Sequence, residues 1–326
     1  MKGKWHMRNA FALIVLCVGC AAASAQTYPA KPIRLVVGFG PGGAADIISR
    51  AIGDPLGRAL GQGIIIDNKP GAGSSLAVEF VAKAVPDGYT ILIASQSGMI
   101  VNPAINRNVG YDTGRDFAPI TQVSSSPLVV AVNPALSARS VSELIADAKK
   151  APGKLNYASS GNGSVPHLAL ALFSALTGVE MVHVPYKSGG QSVQSVLAGD
   201  TQVTFATSPS VLPLVQGGRL RALAVTSRAR SPLVPNLPGM EEAGLANYDM
   251  SVWYGFFAPA GTPAEVVKRL FDVTVLTLQN PKLKEILAHD GTETVSSRSP
   301  EDFGAFVTRE TKLWGPIIRN AGMKAE

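Results

Sequence analysis

Residues 33–50, IRLVVGFGPGGAADIISR, carry an apolar strand into a helix through a turn that holds four glycines and one proline. Gly38, Gly40, Gly42 and Gly43 leave the backbone without side chains where the helix begins. Bare N–H groups at the positive end of a helix dipole make a site for an anion. Strand, glycine turn and helix in this order are also the repeating unit of an open α/β sheet, whose ligands bind beyond the strand ends. The run satisfies G-x-G-x-x-G, and Asp67 closes the next strand about where a ribose-binding acid would stand. Two functions are therefore open, a dinucleotide enzyme and a receptor for a small anion.

The N-terminus bears on that choice. Lys2, Lys4 and Arg8 precede an apolar run over residues 10–19, and Ala23-Ser24-Ala25 supplies an A-x-A cleavage pattern. Together they predict a signal peptide over residues 1–25, cut after Ala25, and export to a bacterial periplasm. The run is shorter than the roughly 20 apolar residues that span a bilayer. Val18-Gly19-Cys20 offers a competing lipidation site at Cys20, although Cys17 stands where leucine is usual. Both cysteines precede the cut, so neither a disulfide nor thiol chemistry is expected in the mature chain. Loss of Lys2, Lys4 and Arg8 lowers the net charge from +6 to +3. With no basic run left, nucleic acid is not an expected partner. About 300 mature residues suffice for two domains.

Short β-rich runs at 33–37, 64–67, 90–94, 128–132, 155–159, 181–185, 201–205 and 220–226 alternate with helical stretches such as 140–149, 166–177 and 191–198. This predicts an α/β fold with mainly parallel pairing. Ser140 with Glu143, and Thr262-Pro263 with Glu265, read as capping boxes, and Ser299-Pro300-Glu301-Asp302 opens a last helix. Pro55 lies inside the first helix and is expected to kink or stop it. Two extended segments, 116–126 and 248–258, flank the middle of the chain and read as crossings. The chain then builds one lobe from residues 26–124 and 249–326 and a second from 125–248, with a ligand cleft between them.

Three loops leave predicted strand ends towards that cleft. The first supplies Phe39, Gly40, Gly42, Gly43, Ala44 and Asp46, and the second Ser95, Gln96 and Ser97. The third supplies Ser160, Gly161, Asn162 and Ser164, with His167 just beyond. They offer N–H groups, hydroxyls and amides but almost no formal charge; Lys187 is the only cation close to a candidate loop. Neutral donors and helix dipoles can hold an anion without a buried cation. Asp46, early in its helix, either compensates the dipole or orients loop amides and water around a ligand. His167, His183 and His289 lie on separate elements without metal-ligand spacing, so no metal is expected. There is no G-x-S-x-G elbow, and no serine is tied by spacing to a histidine and an acid.

Several ordered blocks add a resemblance. They are Tyr28-Pro29-Ala30-Lys31-Pro32-Ile33-Arg34, Pro41-Gly42-Gly43-x-x-Asp46, and Asp67-Asn68-Lys69-Pro70-Gly71-Ala72-Gly73. Pro86-Asp87-Gly88-Tyr89-Thr90, Leu155-Asn156-Tyr157-Ala158-Ser159, Val182-His183-Val184-Pro185-Tyr186-Lys187 and Arg221-Ala222-Leu223-Ala224-Val225-Thr226 continue the series. On these the mature chain, nearly end to end, resembles the Bug family, the periplasmic solute receptors of tripartite tricarboxylate transporters. The resemblance implies a two-lobed periplasmic-binding-protein fold of type II-like form, with two Rossmann-like lobes joined by two crossing strands. It implies a monomer without cofactor or catalysis that captures a di- or tricarboxylate or related acid and delivers it to membrane permease subunits. It makes residues 70–73 a signature loop and removes Asp67 as a ribose ligand.

Two departures stand out. The family commonly has prolines in place of Gly38 and Gly40, so this loop is expected to be looser. Where many members read acid-leucine-methionine-phenylalanine-aspartate, this chain reads Gln202-Val203-Thr204-Phe205-Ala206. Ala206 and Thr207 thus join the expected ligand contacts, and the missing acid favours a plain carboxylate over an amino acid. The alternatives are a sensor that presents the carboxylate to a membrane kinase, and an NAD-dependent enzyme. Export argues against the latter, since no soluble nicotinamide supply is expected outside the cytoplasm.

Overall fold

Ile33, Leu35, Val36 and Val37 are wholly buried, as a run of branched residues is in a parallel strand covered on both faces. In the computed structural model, which describes residues 28–106, 108–320 and 323, this run is β1. The predicted signal peptide and Cys20 lie outside the described residues. Along the chain follow β1 (Ile33–Val37), α1 (Ala44–Leu60), β2 (Ile64–Asn68), α2 (Ser75–Ala82), β3 (Thr90–Ser95) and the short α3 (Asn102–Ile105). Then come β4 (Phe117–Val132), α4 (Val141–Lys150), β5 (Asn156–Ser159), α5 (Val165–Thr177), β6 (Val182–Pro185), α6 (Gly189–Ala198) and β7 (Val203–Thr207). The rest is α7 (Ser208–Gln216), β8 (Arg221–Val225), β9 (Ser251–Pro259), α8 (Ala264–Leu278), α9 (Pro281–His289), β10 (Glu293–Thr294) and α10 (Pro300–Asn320).

The strands form one sheet in the order β2-β1-β3-β9-β4-β7-β5-β6, with β8 and β10 pairing β4 off this path. β1 pairs β2 and β3 in parallel, and β5 pairs β6 and β7 in parallel. All pairings made by β4 and β9 are antiparallel. The expected parallel character therefore holds within each parallel set but not where the sets are joined. There one strand carries the chain across and another carries it back. Those are the two extended segments of the sequence, paired from Phe117↔Pro259 to Pro127↔Ser251. β4 then continues to Val132 along β7 and β8, absorbing the strand predicted separately at 128–132.

Pro55 does not stop α1, which runs on to Leu60. Ile48, Ile52 and Leu56 are wholly buried, and Gly53 and Gly57 bring the helix onto Ile64 of β2. Tertiary packing of the apolar face outweighs the one lost backbone bond. The Ser140 cap forms, its Oγ accepting from Glu143 N at 3.1 Å, while the Glu143 carboxylate reaches one residue further back and accepts from Arg139 N at 2.8 Å. The box read at Thr262 does not form. Its hydroxyl donates to Pro259 O at 2.8 Å, and Pro263 occupies the cap. In α10, Asp302 N donates to Ser299 Oγ at 3.2 Å, as the sequence predicts.

The crossing strands have their own core. Trp253 and Phe257 of β9 meet Phe303 of α10 at ring separations of 5.8 and 5.0 Å. Gly255 between them must lack a side chain, because a Cβ there would collide with the Phe303 ring. Trp253 Nε1 and Trp314 Nε1 both donate to Glu310, tying the last helix to β9.

Candidate functional site

β1 and β3 end at Val37 and Ser95, and β5 and β7 end at Ser159 and Thr207. The loops leaving these ends meet. Gly40 N donates to Lys187 O at 3.2 Å, Val165 N donates to Ser97 Oγ at 2.9 Å, and Gly73 packs against Asn162. Three helices start at the same ends: α1 after Gly43, α5 after Ser164 and α7 after Thr207. Neither α1 nor α7 has a side-chain cap, so their first N–H groups keep donor capacity, save at Pro209 of α7, which has none. Gly189 lies against both starts: a Cβ added to Gly43 would come 3.5 Å from Gly189 N, and one added to Gly189 would come 3.0 Å from Ser210 Oγ and 3.7 Å from Thr207 Oγ1.

In the first loop, Gly42 takes φ +77°, a left-handed turn suited to glycine. Asp46 is 3% exposed and turned onto its own loop. Its carboxylate accepts from Gly42 N at 3.1 Å, Asn68 Nδ2 at 3.0 Å and Arg50 Nε at 3.0 Å. Burial works against its ionised form, but Arg50, the Gly42 N–H and Asn68 outweigh it and hold the carboxyl below its usual range. Asp46 thus holds the Gly42 amide while also standing in the first turn of α1, at the positive end of its dipole. Asn68 completes the arrangement by donating to Phe39 O at 2.9 Å. Lys187 meets this loop through its main chain rather than its ammonium group.

In the second loop, Ser95 Oγ accepts from Ser97 N at 3.3 Å. Gln96 spends its amide on the returning strand, donating to Ser251 O at 2.8 Å and accepting from Trp253 N at 3.1 Å. Its side chain therefore extends the sheet rather than facing a ligand. Residues Ser97–Val101 wind a π-helical turn, a rare feature that often marks functional sites.

In the third loop, Ser164 caps α5, accepting from His167 N at 3.4 Å. Gly163 N donates to His167 Nδ1 at 3.3 Å, which assigns the ring proton to Nε2. The His167 ring stacks on His183 at 4.1 Å, and His183 stacks on Tyr157 at 4.7 Å. His183 Nε2 and Ser159 Oγ lie 2.6 Å apart. Burial, with His167 alongside, pushes the His183 pKa down to about 3, so the ring is neutral near pH 7. Sequence spacing gave no hint of this serine–histidine pair. Ser159 is wholly buried, and no acid among the described residues hydrogen-bonds His183, so the pair lacks the access and orienting group of a nucleophile.

Ala206 corrects an expectation. It lies in the apolar cluster of Val129, Val193, Val196 and Val211, on the face of β7 covered by α6 and α7. Its neighbour Thr207 alternates to the other face, and its hydroxyl pairs with Ser210 at 3.0 Å. The argument from Ala206 against an amino-acid ligand therefore lapses.

Residues 48–323 match the tripartite tricarboxylate transporter family receptor. The chain belongs to this family. It is 34% identical to the protein BugT of Bordetella pertussis over 96% of each chain. The periplasmic binding protein BugD is 30% identical in structure-based alignment, covering 92% of this chain and all of its own, with a TM-score of 0.88. R. palustris Rpa4515, solved with adipate, is 34% identical over 91% of this chain and 99% of its own, at a TM-score of 0.88. MatC (Rpa3494) from Rhodopseudomonas palustris, solved with bound malate, is 27% identical over 89% of this chain and all of its own, at 0.85. The fold is thus that of the periplasmic binding proteins, and family and fold are those of substrate-binding receptors.

Asp67, which closes the strand after the G-x-G-x-x-G turn, is engaged by Arg34 at 3.7 Å and Lys69 at 3.4 Å. Three further residues that pack among these loops escaped the sequence reading: Asn68, Asn102 and Ser74. Ser74 adopts φ +82° and Ala72 φ +44°, a left-handed region that non-glycine residues rarely enter. Ser74 is 5% exposed, and its hydroxyl has no hydrogen-bond partner. It sits between the ends of β1 and β3 in space left by Gly38 and Gly98, where side chains would collide with it or press on it.

Proposed function

We propose that this chain is an exported periplasmic receptor, cut after Ala25, that encloses a small organic carboxylate between two lobes. The lobes are residues 26–124 with 249–326 and residues 125–248, and β4 and β9 are the crossings between them. The observation that carries this reading is the pair of uncapped helix starts, at Gly43 and Thr207, one from each lobe, with Gly189 against both. Each start offers free N–H groups and the positive end of a dipole to an oxyanion. The loops around them carry hydroxyls and amides rather than cations, which suits a ligand that must also be released.

Family membership and the ligands of two neighbours, adipate and malate, support a carboxylate as cargo. Phe39, Gly40, Gly42, Gly43 and Ala44 serve one side of the ligand, with Ser95, Ser97 and Ser74. Ser160, Gly161, Asn162, Ser164, His167 and Thr207 serve the other. Asp46 holds the first loop and Gln96 the crossing strand. The receptor works as a monomer without catalysis, and the enclosed form docks on permease subunits of a tripartite tricarboxylate transporter, so ligand affinity and docking are linked. Isothermal titration with adipate, malate and citrate tests it. Micromolar or tighter binding of one of them supports the reading, and heat with none of these or related carboxylates contradicts it.

A further inference from the structure

Asn102 is 6% exposed and stands where the π-helical turn ends and α3 begins. Its Nδ2 donates to Gly73 O and to Ser97 O, both at 2.8 Å. Two carbonyl acceptors fix which amide atom is nitrogen, so Oδ1 is left facing the third loop. There it meets Gly163, at φ +72°, so closely that a Cβ on Gly163 would collide with it. Gly73 makes the reciprocal approach: at φ +58°, a Cβ there would collide with Asn162 O. Ser97, whose carbonyl Asn102 holds, reaches over with its hydroxyl to Val165 N at 2.9 Å.

One side chain thus ties the 70–73 loop to the 95–98 loop on one side and forms the seat for Gly163 on the other. We infer that Asn102 is a positioning residue for ligand capture, the fixed half of a latch whose moving half is the Asn162-Gly163 turn. This rests on the receptor reading above. The amide makes its bonds to protein rather than ligand, so its contribution is to the population of the enclosed form. Apparent affinity scales with that population, and loss of the latch speeds ligand escape more than it slows ligand entry. Both glycines are required for a related reason: each lies in the left-handed region and has no room for a side chain.

The test uses the exported chain, with adipate and malate as probes, in Asn102→Ala, Gly163→Ala and the double variant. Gly163→Ala keeps the Asn102 amide and presses on it from the opposite side of the seat, so a shared phenotype cannot come from removal of that amide alone. Each single variant should raise Kd about five- to fiftyfold, mainly through koff with kon within about threefold, and the double variant should be no worse than the weaker-binding single. Wild-type off-rates in both singles, or effects that multiply in the double variant, would overturn the latch while leaving the receptor reading intact. Failure of the wild type to bind any carboxylate would count against the receptor reading itself. Amide exchange of Val165, measured without ligand, then decides the latch separately: faster exchange in Asn102→Ala supports it, and an unchanged rate overturns it.

Discussion

The hydroxyl of Ser97 accepts the backbone N–H of Val165 at 2.9 Å, joining the turn after β3 to the first residue of α5. The donor is an orphan N–H of a helix start, so the bond crosses between the parallel sets of strands and satisfies a group that would otherwise need water. Ser97→Ala should therefore weaken carboxylate binding by about 0.5–1.5 kcal/mol, the usual range for a neutral hydrogen bond. Titration calorimetry with the tightest-binding acid measures it. Unchanged affinity in a folded variant would separate this bond from ligand enclosure.

Ser74 offers a prediction in which stability and binding move in opposite directions. Its φ of +82° suits glycine, so Ser74→Gly should relieve backbone strain and raise the thermal midpoint, by the equivalent of about 1 kcal/mol. The same change removes the unpaired hydroxyl, so affinity for the carboxylate should fall by about 0.5–3 kcal/mol. A variant that is stabilised and binds as before would show that the hydroxyl does not serve the ligand.

Gln96 should behave as a structural residue. Gln96→Ala leaves Ser251 O and Trp253 N without their side-chain partners, at a cost of about 1–3 kcal/mol in urea unfolding. Gln96→Glu keeps the acceptor for Trp253 N but faces Ser251 O with an anion, and should be no more stable than the alanine variant.

Acid should destabilise the fold through His183. Its folded pKa of about 3 lies below its ordinary value of 6.5, so below pH 6.5 the unfolded chain binds a proton that the folded chain refuses. Stability is then fully present above pH 6.5 and falls as pH drops towards 3. Asp46, whose carboxyl is held below its ordinary 3.8, contributes stability above that value and loses it only as pH falls further. Urea unfolding at pH 7, 5.5 and 4.5 should show a decline in the wild type that is smaller in His183→Gln. Equal declines would assign the acid sensitivity elsewhere.

Local signals made much of this fold legible. The branched apolar runs of β1 and β3 and the glycine-bearing turns after them placed these strands to within one residue, because burial and turn chemistry are encoded nearby. β4 was legible only in pieces, since Pro119, Pro127 and the Ser124-Ser125-Ser126 run interrupt its apolar pattern, and its pairing with β9 comes from far along the chain. Pro55 does not stop α1 and the Thr262 box does not form, because packing and a competing acceptor outweigh the local preference.

The site divides in the same way. Its loops could be read from glycines and serines, but the placing of Ser74, Asn68 and Asn102 depends on partners that only the fold brings near. Ala206 was misjudged by one step of strand alternation, which sends it into the core and Thr207 to the opposite face.

The most direct measurement is a thermal-shift screen of residues 26–326 against mono-, di- and tricarboxylates, amino acids and NAD. A ligand at about 100 times its Kd that binds only the folded chain adds about 2.7 kcal/mol, enough to move the midpoint by several degrees. A receptor of the kind proposed should shift with a carboxylate class and not with NAD. A shift with NAD alone would contradict it.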